Sequence, residues 1–295
     1  MNRLVKYFSC GIMSETLETV GAEVETQFID NRNGMAISTE TSQRMLGLLA
    51  ERGWTVACRK NGLITTLSDR FCNQMFYELG RHNIELSTAA ASPDRVIQMT
   101  YDCLEQLYDA GLKFGALPYF APVLETSEDL LVIPDDRDAT WLELDGRDAL
   151  ANLARTSSVQ FTISVNPDDA MPILNRLGWK AHKFLDDYPQ DKIWTGYIAN
   201  SNANYQSDRY GGPLLFDALE DYCLCLKQHD VVVGQRLVPF DEVNDLNIPL
   251  FLRSIWWHFR LKRYDNSLCI EVRPMPRRSD ENIQVQYNTL LGMIQ

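Results

Sequence analysis

Polar and apolar residues alternate singly along several short stretches of this chain. Over residues 21–30 (GAEVETQFID), Glu23, Glu25 and Gln27 fall on one side of an extended strand, while Ala22, Val24, Thr26 and Phe28 fall on the other. Residues 157–165 (SSVQFTISV) sort the same way, with Val159, Phe161, Ile163 and Val165 opposite Ser158, Gln160, Thr162 and Ser164. The sorting recurs near Glu85, which shares a face with Asn83 and Ser87, and near Glu271. Residues 54–58, 63–67, 113–120 and 130–133 also read as extended. A two-residue turn at Asp265 and Asn266 predicts a hairpin that pairs Leu261 with Ile270 and Phe259 with Val272 on an apolar face. The same register sets Arg260 opposite Glu271 and His258 opposite Arg273 on the polar face.

Helical spacing appears over 41–52, closed by Gly53, and over 92–111, with Ser92 as cap, Pro93 in the first turn and Gly111 as the end. Further helices are predicted over 145–155, 168–177, 213–227 and 279–294. Strands and helices do not alternate as regular βαβ units, and the strands have one apolar and one polar face. The expected fold is therefore α+β, a curved and mainly antiparallel sheet with helices packed on its outer face. No repeat, low-complexity stretch or linker divides the chain, so residues 1–295 read as a single domain.

Composition narrows the function classes. With 295 residues, 45% of them hydrophobic, the chain can bury a substantial core, and its net charge of −12 argues against nucleic acid or an anionic membrane as main partner. Seven cysteines, odd in number and without a Cys-x-x-Cys pair, fit reduced thiols better than disulfides or a zinc site. With no secretory leader and no apolar stretch of about 20 residues, the expected location is the cytoplasm. The four histidines, His82, His182, His229 and His258, are not spaced as a metal cluster.

The polar faces hold the candidate chemistry. Glu23, Glu25, Glu85 and Glu271 would repel one another on one sheet surface, an arrangement that divalent cations relieve. The alternative is an ordinary solvated face, for which Lys, Thr and mixed charges are the expected residues. Glu78 lies seven residues before Glu85, an odd separation that puts it on the opposite face of an unbroken strand. It joins the cluster only if the chain bends at Gly80.

Four segments, GAEVET at 21–26, YELGRHNIELST at 77–88, SSVQFTISV at 157–165 and FRLKRYDNSLCIEVRP at 259–274, together resemble the glutamate–cysteine ligase and carboxylate–amine ligase family of the glutamine synthetase-like superfamily. The resemblance implies a cradle-shaped sheet holding ATP, Mg²⁺ and two small-molecule substrates. In that chemistry ATP phosphorylates a carboxylate, typically that of glutamate, and an amine such as cysteine displaces the phosphate to give an amide. It assigns Glu23, Glu25, Glu78, Glu85 and Glu271 to metal, Arg273 with Glu271 to catalysis, and Gln160, Thr162 and Arg273 to the nucleotide. Arg209 and Arg260 are assigned to substrate, with Arg260 also placed to orient Glu271, and a homo-oligomer is compatible with the family. The chain departs from the family in its short length, in Thr162 where many members have His or Asn, and in Pro274-Met275-Pro276-Arg277 where many have an aspartate. A phosphotransferase on the same cradle and a non-catalytic protein retaining the fold are the rival readings.

Overall fold

The computed structural model describes residues 3–131 and 136–294. Nine strands form one sheet in the order β12-β13-β7-β1-β5-β4-β3-β2, with β6 pairing β1 beyond the end of β7, and every pair is antiparallel. The strands are β1 (Val20–Asp30), β2 (Thr55–Lys60), β3 (Leu63–Ser68), β4 (Gln74–Tyr77), β5 (Asn83–Ser87), β6 (Ala116–Tyr119) and β7 (Ser158–Ser164). Short strands β8 (Tyr210–Gly211), β9 (Val231–Val233), β10 (Arg236–Val238) and β11 (Trp256–Trp257) pair outside it, and β12 (Phe259–Tyr264) and β13 (Ser267–Pro276) complete it. The expected α+β architecture is what the chain adopts.

The helices are α1 (Arg3–Ser9), α2 (Thr39–Glu51), α3 (Val96–Lys113), α4 (Asp136–Asp145), α5 (Arg147–Leu153), α6 (Pro167–Trp179), α7 (His182–Leu185), α8 (Gln190–Asn200), α9 (Leu219–Leu226), α10 (Ile248–Arg253) and α11 (Asp280–Ile294). Val24, Phe28, Ile84, Leu86, Phe161, Ile163, Ile270 and Val272 form one buried core with α2, α3, α6 and α11, in which Phe161 meets Tyr287. That core includes Leu4 and Ile294, near opposite ends of the chain. A smaller core joins α5 and α8 through Leu150, Leu153, Tyr197 and Trp256.

The predicted hairpin forms in register, with Leu261 opposite Ile270, Arg260 opposite Glu271 and Asp265 at φ +50° in the turn. Elsewhere element ends move. The helix expected from Ser92 begins at Val96, because Ser92 to Arg95 closes a backbone turn instead. Gly111 stays inside that helix, where a Cβ would lie 3.0 Å from the Ala116 carbonyl and 3.2 Å from Phe28. The strand expected from 113 starts only at Ala116, after Gly115 takes φ +73°. Of the helix expected over 213–227, only Leu219–Leu226 forms, since Asn175 binds both the N–H and the carbonyl of Phe216 and pins the preceding loop to α6. Of the strand expected over 130–133, Leu131 makes one bridge to Gly80, and residues 132 and 133 lie outside the described residues.

Candidate active site

Strand register gathers the ionisable side chains on the polar face. Glu25 lies opposite Glu85, Gln27 opposite Asn83, Glu23 opposite Gln160, and Thr162 opposite Glu271. Glu78 follows β4 in the turn to β5, so it and Glu85 belong to two antiparallel strands rather than one bent strand. The turn closes through Asn83 N–H to the Gly80 carbonyl at 3.1 Å, and it brings the Glu78 carboxyl within hydrogen-bonding reach of Glu85.

One end of the face is cationic. Glu271 is fully buried, and its carboxylate contacts Arg260 Nε and Lys262 Nζ, with Arg273 Nη1 at 3.3 Å. Burial alone would raise its pKa, but Arg260, Lys262 and Arg273 hold it well below the usual carboxylate range. Arg260 also donates to the carbonyls of Leu252 and Ile255, so its guanidinium is committed to the protein. Arg273 Nη1 donates to Gln160 Oε1 at 2.7 Å.

The other end is acidic. Glu25 accepts the Ser158 N–H at 2.8 Å and Gln160 Nε2 at 3.3 Å. Burial, and then the Glu78 charge, pushes the Glu25 carboxyl well above its ordinary value. Glu85, 5% exposed, is pushed the same way by burial, then Glu78 and Glu23. Between the two ends lies a cavity of about 60 Å³ lined by Glu25, Glu78, Asn83, Gln160, Tyr188 and Arg273, among others, and walled by Leu153 of α5 and Trp194 of α8. Its volume is about that of two waters. A phosphoryl or carboxylate group is in scale with it, whereas sites that enclose a whole ligand run to roughly 300–1,000 Å³.

Not every predicted residue reaches this place. Arg209 is buried against Tyr205 and Trp256 and donates to the Asp230 carbonyl and Ser254 Oγ, in the α5–α8 layer. Thr162 stays on the polar face with Oγ1 unpartnered. Arg277, fully buried, binds Tyr108 and Asp280 and ties β13 to α11. A larger cavity of about 500 Å³, lined by Asp145, Asn152, Tyr197 and Asn200 among others, shares no residue with the first. The sequence reading missed Lys262, Tyr188 and Trp194. Lys262 was visible as a polar-face residue two positions beyond Arg260, but Tyr188 and Trp194 lie off the sheet, with no alternation to flag them. His258, expected on the polar face, sits 3.4 Å from Asp191, which also accepts from Tyr210 at 3.0 Å.

The two ends differ in what they offer a divalent ion. Among the described residues no three acidic, His or Cys side chains converge closely enough to cage a metal as they stand. Mg²⁺ needs less, since one or two carboxylates with water and substrate phosphates usually suffice. The acidic end fits that donor set: Glu25, Glu78 and Glu85 repel one another there, and the buried Asn83 Oδ1 has no hydrogen-bond partner among the described residues. Glu271 does not fit it, because protein cations already hold both its oxygens.

No protein-family description matches the chain, and no curated protein does. Solved structures do. A bifunctional glutathione synthetase from Pasteurella multocida superposes with a TM-score of 0.49 at 11% identity, over 99% of this chain and 40% of that one. Glutamate–cysteine ligase from Francisella tularensis, in complex with AMP, superposes with a TM-score of 0.53 at 13% identity, over 95% of this chain and 67% of that one. With nearly the whole of this chain overlaid on that structure, the chain shares the fold of the Francisella glutamate–cysteine ligase.

Proposed function

We propose that the chain is an ATP- and Mg²⁺-dependent ligase that joins glutamate, or a related carboxylate, to an amine such as cysteine through an acyl phosphate. The observation that carries this reading is the cavity itself, where Arg273 faces Glu25 and Glu78 across space sized for a phosphoryl or carboxylate group. Arg273, braced by Gln160 and Glu271, stabilises the negative charge on the phosphoryl group as it moves. Gln160 and Thr162 face the nucleotide, and Arg260 holds Glu271 in place. Glu25, Glu78 and Glu85, with Asn83 Oδ1, would hold Mg²⁺, which would supply the positive charge that neutralises these acids and the substrate phosphate. The AMP carried by the Francisella ligase on the same fold supports a nucleotide here.

We take residues 1–295 as one catalytic unit, because a single core reaches from Leu4 to Ile294. The reaction is assigned to the cytoplasm, in keeping with seven free thiols; among the described residues no helix is long and apolar enough to cross a membrane. The test is ADP release from MgATP, screened over pairs of amino acids and amines, with the product identified by mass. An amide product with stoichiometric ADP and phosphate is expected. A phosphorylated product that no amine consumes would make the chain a phosphotransferase, and no binding of MgATP by calorimetry would remove the reading altogether.

A further inference from the structure

The cationic end of the cradle poses a question that the ligase reading leaves open. This inference rests on the metal-dependent reading, and, beside Glu25, Glu78 and Glu85, the family resemblance assigns Glu271 and Glu23 to metal. Yet a charge already stands between them. Lys262 follows Arg260 by two residues on β12 and so shares its face. Its ammonium contacts Glu271 Oε1 and lies 3.9 Å from Glu23 Oε1, with the Tyr264 ring centroid 5.9 Å away. Glu271 Oε2 is shared by Arg260 Nε and Arg273 Nη1.

We infer that the Lys262 ammonium is a tethered counter-ion occupying the place of a divalent cation between Glu23 and Glu271, so that the cradle takes metal only at its Glu25–Glu78–Glu85 end.

Three observations converge on it. Each oxygen of Glu271 lies against a cation, Oε1 against Lys262 Nζ and Oε2 against Arg260 and Arg273, and an approaching dication would meet three positive charges within contact distance of the same carboxylate. The Lys262 side chain is only 18% exposed, and its ammonium is set between two carboxylates, against Glu271 Oε1 and 3.9 Å from Glu23 Oε1. Charge balance agrees. With a divalent ion holding Glu25, Glu78 and Glu85 ionised, the five acids Glu23, Glu25, Glu78, Glu85 and Glu271 against Arg260, Lys262 and Arg273 would leave two negative charges, the charge of that one ion. Lys262 is thus a positioning residue: it fixes Glu271 against Arg273 without a metal bridge.

The test counts Mn²⁺ bound to the full chain without nucleotide, by electron paramagnetic resonance of the free ion. Lys262→Met, which keeps the stem and removes the charge, is expected to bind one Mn²⁺ more than the parent. The extra ion should vanish in the Lys262→Met, Glu23→Gln double variant, whereas Lys262→Arg should bind as the parent does. Equal counts in a folded Lys262→Met variant would overturn the inference, as would an extra ion that survives Glu23→Gln.

If Lys262→Met does not fold, the parent carries the test through reductive methylation read by mass spectrometry. Lys262 should label slowly whether or not Mn²⁺ is present, while a rise in its labelling on adding Mn²⁺ would mean that the ion displaces it, and would overturn the inference. Neither readout involves ADP or amide formation. A chain that behaves this way toward Mn²⁺ yet makes no amide therefore refutes the ligase reading and leaves the role of Lys262 standing.

Discussion

Glu85 and Glu271 are both buried acids on one sheet face, and their neighbours drive them in opposite directions. A carboxyl whose folded pKa is raised keeps a proton that the unfolded chain has already lost. Glu85 therefore contributes stability below the ordinary carboxylate pKa, and that contribution is lost as pH rises through the raised value. Glu271, lowered, does the reverse: its contribution is present above the ordinary value and is lost only in strong acid. Without divalent ions the chain should lose stability between mildly acidic pH and pH 8, and Glu85→Gln should recover on the order of 1 kcal/mol at pH 8. Thermal unfolding at pH 5 and pH 8 checks this, and identical pH slopes for parent and variant would refute it. Arg273 makes a second prediction at this scale. Its Nη1 is held by Gln160 and Glu271 together, and Arg273→Lys keeps the charge but loses the planar guanidinium held there, so it should slow ADP formation by about 100-fold with little effect on stability. A loss of only a few fold would remove Arg273 from the chemistry. Glu23, Glu25, Gln160 and Arg260 were legible because alternation alone assigns their face. Lys262 was not, because a single Lys on a polar strand reads as a solvated residue until its partners are known.

Elements show where local pattern yields to tertiary contact. The odd spacing of Glu78 and Glu85 called for a bend at Gly80, and the chain supplies a hairpin turn there. Gly80 is needed for its lack of a side chain: a Cβ would lie 2.8 Å from both the Ala154 carbonyl and the His82 ring. His82 cannot easily give way. It is fully buried with Nε2 2.9 Å from Gln27 Oε1, and burial and Arg81 lower its pKa to about 3, which leaves it neutral. Gly80→Ala should therefore cost about 1–3 kcal/mol and move Glu78 off Glu85, weakening Mn²⁺ binding. Unfolding by urea and a Mn²⁺ titration measure the two effects, and a stable variant with unchanged Mn²⁺ affinity would show that the turn does not set the acidic end. The late start of α3 and the loop at 213–218 follow the same logic. Ser92 and Pro93 carry a start signal that the backbone spends on a turn, and the loop is held by Asn175 from another helix, which no local spacing reveals.

At the scale of the whole molecule, the sheet and its two faces could be read from sequence because strand period is a local property. The α5–α8 layer could not, since its core joins Leu153, Tyr197 and Trp256, residues brought together only by the finished fold. That layer decides access to the cavity. Leu153 and Trp194 wall the space beside Arg273, and Trp194 is itself stacked on Tyr210 at 5.4 Å and packed on Trp256 at 5.6 Å. A cavity of about 60 Å³ is in scale with a phosphoryl or carboxylate group and not with a whole nucleotide. On the proposed function, the rest of ATP would lie along the cradle outside it, against the wall that α8 provides, or would displace that wall. Either way the amides of Gln190–Asn200 should change their hydrogen-exchange rates when MgATP binds, and Trp194 should report the same event by fluorescence. The amides of α3 and α11, packed on the far side of the sheet, should exchange as before. Saturating MgATP that leaves α8 exchange and Trp194 emission untouched would place the nucleotide away from this cavity, and Arg273 with it outside the reaction.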